Sequence, residues 1–98
     1  MRLLMAGEVL CHPLVVGELA TGNLRDRETW LADLATLPRA VVATDDEALR
    51  LIEREALHGR GIGYADVCLL AAARLSGARL WTRGRRLAKV AAQLGVSA

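Results

Sequence analysis

The stretch GIGYADVCLLAAARLSGARLWT, residues 61–82, decides how the chain folds. From Tyr64 to Leu75 it is apolar on nearly every side, a pattern that a helix carries when it is buried all round. Ser76-Gly77 closes that helix, and the following ARLWT, residues 78–82, reads as a strand. A buried helix leading through a glycine turn into a strand is a unit of α/β folds. At the mouth of the helix stands one carboxylate, Asp66. From Ala56 to the C-terminus it is the only acid, set against Arg60, Arg74, Arg79, Arg83, Arg85, Arg86 and Lys89.

Working outward, the same reading assigns the other elements. Arg2 to Ala6 looks like a helix end closed by Gly7. EVLC (8–11) is a short apolar strand, and Pro13 suits the first turn of a helix over 13–21. That helix sets Val15, Val16 and Leu19 inward. DRETWLADLATLP (26–38) repeats Trp30, Leu31, Leu34 and Leu37 at helical spacing until Pro38 stops it. AVVA (40–43) is a β-branched strand, and TDDE (44–47) is a capping box with Thr44 as the cap. The helix it opens runs to about His58, with Leu49, Ile52 and Ala56 inward and Gly59 ending it. RRLAKVAAQLG (85–95) is a closing amphipathic helix. Strand and helix alternate, so a parallel sheet with helices on both faces is expected. Gly59, Gly61 and Gly63 form a turn; they lack the Gly-Lys-Ser/Thr of a phosphate loop.

Composition narrows the class. The 98 residues suit one domain, and the hydrophobic share of 53% supports a collapsed core. Aromatics are only 3% and Phe is absent, so Leu, Val and Ala must fill the interior. The net charge of +2 is unevenly placed. Residues 1–55 hold ten acids and six bases, residues 56–98 one acid and seven bases. Such asymmetry suits an anionic partner, nucleic acid being the commonest, or a solvated basic surface. Twelve of the thirteen bases are Arg, which favours phosphate forks. Cys11 and Cys68 form no metal or disulfide pattern, and His12 and His58 lack ligand spacing. Glu8 interrupts the apolar start, and the run Val67 to Ala73 is far too short to span a bilayer. A cytoplasmic protein with no membrane partner is the expectation.

In open α/β sheets, ligands gather beyond the carboxyl ends of the strands. Glu18, Asp66 and Thr82 fall there. An acid pair in such a crevice suits Mg²⁺, which takes oxygen ligands and keeps waters. The plainer alternatives are a helix N-terminal carboxylate for Asp66, worth about 0.3–1 kcal/mol, and a solvated face for Glu18.

HPLVVGELATGNL (12–24) and GRGIGYADVCLLAAARLSGARLWTR (59–83) resemble the PIN-domain ribonucleases, specifically the VapC-type toxins of bacterial toxin–antitoxin pairs. Val15-Val16-Gly17-Glu18-Leu19 resembles the helix bearing that family's second acid. Asp66 matches its third acid, and LWTRGRRL (80–87) the segment where the family usually writes Thr, any residue, Asp. The resemblance implies a PIN-like three-layer α/β/α fold with a parallel sheet. It also implies Mg²⁺- or Mn²⁺-dependent cleavage of structured RNA such as tRNA, with Glu18 and Asp66 as catalytic metal ligands supported by Thr82. A cognate antitoxin would be the protein partner.

Two departures accompany the match. The family opens with a strand ending in Asp-Thr or Asp-Ser that this chain does not show. Residues 1–98 are therefore expected to form a single, N-terminally incomplete PIN-like domain, lacking the first, central strand. The place of the fourth acid is taken by Gly84, so a crippled nuclease with weakly held metal is expected. The alternative is a catalytically inactive relic serving as a dimerisation or antitoxin-binding module. Unpaired strand edges imply a homodimer, and Arg60, Arg83, Arg85 and Arg86 are the expected RNA-binding residues.

Overall fold

The computed structural model describes residues 2–98, and a strand stands at its centre where the sequence suggests a helix end. Strand β1 is Arg2–Met5, β2 is Val9–Leu10 and β3 is Arg79–Thr82. They form one sheet in the order β2-β1-β3. Alternation explains why Arg2–Met5 is extended. Leu4 pairs with Leu10 on one side and Leu80 on the other, and Leu4 and Leu80 are only 1% and 2% exposed. A helix there would forfeit both ladders and leave buried backbone groups unpaired. Leu and Met also favour helices, so four residues without their partners in view read the wrong way.

The sheet differs from the parallel one expected. β1 runs antiparallel to both neighbours, Arg2 facing Thr82 and Met5 facing Val9. The reversal from β1 to β2 occurs over Ala6, Gly7 and Glu8, with Gly7 at φ 74°, and a connection that short joins only antiparallel strands. Parallel pairing survives among the described residues as isolated bridges, Cys11 with Arg39 and Leu80 with Ser97. Within this sheet β1 is the middle strand. Residues 40–43 form no strand. Ala40 is buried and donates to the Cys11 carbonyl at 2.9 Å, while Val41 and Val42 are more than half exposed.

Helices follow their sequence signals closely. They are α1 (Pro13–Thr21), α2 (Arg27–Ala35), α3 (Asp45–Glu55), α4 (Tyr64–Ser76) and α5 (Arg85–Gln93). The capping box forms as read: Thr44 Oγ1 accepts the Glu47 N–H at 3.1 Å, and Glu47 Oε1 accepts the Thr44 N–H at 2.9 Å. α3 ends earlier than Gly59, at Ala56 in the left-handed region. Its inward face is Ala48 and Leu51 rather than Leu49, which is 52% exposed. The phase is set by where α4 lies, since α3 packs on α4.

Burial is lopsided. α4 contributes Val67, Leu69, Leu70, Ala71, Ala72 and Ala73 to the core, and α5 contributes Leu87, Val90 and Ala91. Both pack on β3. α1 and α2 pack on each other and have no buried residue. Stability therefore resides in β1, β3 and α3–α5. Leu70→Ala should cost about 2–5 kcal/mol in urea unfolding because nothing can collapse into the space, whereas Leu34→Ala on half-buried α2 should cost less than about 1.5 kcal/mol. Equal costs would contradict this division of the core.

Candidate functional site

Helix α4 begins after the turn at residues 59–63, over which the side chain of Arg86 lies. Gly61 has φ +76°, and a Cβ there would lie 2.6 Å from Arg86 Cδ. The positive φ favours glycine there, and the Arg86 side chain lies close over it. The turn delivers Asp66 in the first turn of α4, where negative charge suits the helix dipole. Asp66 Oδ2 accepts the Gly63 N–H at 3.4 Å, so the helix-capping alternative describes one of its oxygens.

The other oxygen accepts from Arg2. The register of β1 against β3 sets Arg2 opposite Thr82 on the same face as Leu4 and Leu80. From there Arg2 Nη1 donates to Asp66 Oδ1 at 2.5 Å, and Nη2 forms an ion pair with Glu18 on α1. One guanidinium thus joins both acids that the sequence singled out. Its side chain is 15% exposed, that of Asp66 24% and that of Glu18 54%. Nothing in the sequence marked Arg2 for this place, because the placement depends on β1 being a strand.

His12 was also missed. It is buried, and Nδ1 accepts the Leu14 N–H at 3.1 Å, which caps α1 just before Pro13. Its Nε2 is buried without a hydrogen-bond partner. Burial, and then the Arg2 cation, hold the imidazole below its usual pKa, so it stays neutral. The readable signal was a polar residue directly before a proline at the start of a helix.

Thr82 and Gly84 meet at the end of β3. Gly84 caps the N-terminus of α5, and its N–H donates to Thr82 Oγ1 at 3.1 Å. A Cβ at Gly84 would find only Thr82 Oγ1 at 3.5 Å and Leu87 Cβ at 3.9 Å, which is ordinary contact. Gly61, Ile62, Asp66, Gly84, Arg85 and Arg86 line one open pocket of about 370 Å³ with Leu87. It brings the acid, two of the expected arginines and the α5 N-terminus together. Arg60 stands apart, donating to Gln93 at the other end of α5 at 2.6 Å. Arg83 lies over the Trp81 ring, 5.8 Å from its centre. On the far side of α4's first turn, the Tyr64 hydroxyl donates to Asp45 at 2.5 Å, and this bond to a carboxylate raises the phenol's pKa.

The donor set does not suit a divalent cation in this arrangement. Among the described residues no three of His, Cys, Asp or Glu cluster as ligands. Both Asp66 oxygens already accept hydrogen bonds, and a guanidinium holds the space between the acids.

A family model described as PIN domain matches residues 1–93. Ribonuclease VapC32 of Mycobacterium tuberculosis, in strains CDC 1551 / Oshkosh and ATCC 25618 / H37Rv, is 47% identical over 97 residues. The alignment covers 98% of this chain and 78% of that protein. No solved structure matches the chain. No helix among the described residues is long and apolar enough to cross a membrane.

The neutral His12 makes stability pH-dependent. Its native pKa lies below the unfolded value of 6.5, so the unfolded chain takes up the proton first as pH falls. Stability from this group should be fully present above about pH 7 and decline as pH drops below about 6.5. His12→Asn keeps a capping acceptor and removes the titration. The melting temperature of the variant should change less between pH 7.5 and 5.5 than that of the parent. An identical slope in both would assign the pH dependence elsewhere.

Proposed function

The chain belongs to the PIN-domain family, and on that premise we propose that it is a VapC-like toxin component, an endoribonuclease acting on structured RNA such as tRNA. The observation that carries this reading is the pocket where Asp66 meets Gly84, Arg85 and Arg86 at the start of α5. Exposed arginine forks beside free helix N–H groups suit a phosphodiester. Gly61, by lacking a Cβ, leaves room for Arg86 to lie across the α4 entry turn beside that pocket. Arg83, spread on Trp81, extends the basic surface; Arg60, tied to Gln93, adds charge farther along α5.

The family generally depends on a divalent cation, Mg²⁺ or Mn²⁺ being the expected ones here. Glu18 and Asp66 are the residues available for it, and with Gly84 in place of the fourth acid they would hold it weakly. The activity is therefore taken to be crippled in this form. An antitoxin is the family's protein partner. The groove of about 530 Å³ walled by Val16, Ala20, Leu31, Leu34 and Ala40 supports an apolar antitoxin segment there. Exposed Trp30, Val41 and Val42 support a homodimer. A cytoplasmic location fits both partners.

RNA affinity should fall steeply with salt. Arg85→Ala and Arg86→Ala should each reduce the slope of log affinity against log salt by about one. A slope that neither variant changes would remove these arginines from the RNA surface. Cleavage of total tRNA by the unmodified chain should be slow, and Gly84→Asp, which the local packing admits, should raise the EDTA-sensitive rate. Rapid EDTA-sensitive cutting by the parent would contradict the crippled reading. Asp66→Asn in the Gly84→Asp background should abolish the gain.

A further inference from the structure

The acid pair already has a cation, and that cation belongs to the chain. We infer that Arg2 is the resident counter-ion of Glu18 and Asp66, so that divalent metal enters only by displacing it from the end of β1. The inference rests on the reading of those acids as metal ligands and adds what controls their loading.

Three observations support it. First, the Arg2 guanidinium presents separate nitrogens to the two carboxylates, Nη1 to Asp66 and Nη2 to Glu18. A planar fork filling the gap between two acids leaves no room for an ion ligated by both. Second, both Asp66 oxygens are already engaged. Oδ1 accepts from Arg2 and Oδ2 from the Gly63 N–H, so a metal competes with the Arg2 cation for Oδ1. Third, Arg2 is not a loose surface side chain. Its backbone is paired with Thr82 in the middle strand, and its side chain is 15% exposed.

Charge adds to the obstruction. Two carboxylates and one guanidinium leave one net negative charge, and Arg85 and Arg86 border the same pocket. A divalent ion arriving with Arg2 in place would meet three cations. With Arg2 removed, it would meet the two carboxylates and only the two bordering arginines. Loading is thus coupled to the fold: metal competes with the interaction that ties the first residue of β1 to α1 and α4.

The experiment compares the parent, Arg2→Gln and Arg2→Gln/Asp66→Asn in two measurements with Mn²⁺ alone. Free Mn²⁺ is followed by electron paramagnetic resonance, and melting temperature is recorded with and without millimolar Mn²⁺. Arg2→Gln should bind Mn²⁺ at least about tenfold more tightly than the parent, since a nearby like charge has gone. It should melt lower than the parent in EDTA and regain stability with Mn²⁺, whereas the parent's melting should barely respond. Adding Asp66→Asn should erase the gained affinity. Equal affinity in parent and Arg2→Gln overturns the inference. If that shared affinity is lost on Asp66→Asn, the acids are metal ligands and only the role of Arg2 falls. If neither protein binds, the ligand reading falls with it. Should Arg2→Gln fail to fold, Arg2→Lys keeps a cation but not the fork. A gain above the parent then supports the inference, and no gain overturns it.

Discussion

The guanidinium of Arg2 is where the sheet, helix α4 and helix α1 are joined. Its backbone belongs to the central strand, one nitrogen reaches Asp66 on α4, and another reaches Glu18 on α1. Partly buried charges carry a desolvation cost that only good geometry offsets, and breaking one partner leaves the other exposed to that cost. The consequence is strong interdependence. The register that buries Leu4 against Leu80 also delivers Arg2 to the acids, so a slip of one residue would turn both to the opposite face.

This dependence matters because the remaining ties of the N-terminal half are slight. α1 and α2 bury no residue of their own, and Leu4 and Ala40 are the buried hydrophobic residues that residues 2–43 supply. The pairing of β1 with β3 and the buried Leu4, His12 and Ala40 tie that half to the core, and α1 is held through the Arg2–Glu18 ion pair. In the C-terminal half, α4 is enclosed by α3, β1 and β3. The Arg2–Glu18 ion pair therefore sits at a boundary between a firmly packed body and a lightly attached pair of helices. Low local packing is where proteins open most readily.

Much of this was readable in the chain and some was not, for physical reasons. Thr44 and Glu47, Pro13 and Ser76-Gly77 act through local backbone chemistry, so they marked helix ends correctly. Asp66 stood out as the one acid in a basic stretch, and Glu18 became a candidate through its resemblance to a family helix. Arg2–Met5 was misread because a four-residue strand is defined by its partners rather than by its own pattern. Missing β1 concealed Arg2, since its role depends on a pairing with Thr82, eighty residues away along the chain. Val41 and Val42 misled in the opposite sense: β-branched residues suit a strand, but here they have no neighbour to pair with and lie exposed.

The central claim is that Arg2 and Asp66 act as one unit linking sheet and site. A double-mutant cycle of Arg2→Gln and Asp66→Asn, read by urea unfolding at neutral pH in EDTA, tests it without any metal or RNA. The expected result is a coupling free energy of about 1–2 kcal/mol, with the double variant losing less than the two single losses combined. Additive losses, agreeing within about 0.5 kcal/mol, would show that the two side chains do not depend on each other and would contradict the claim.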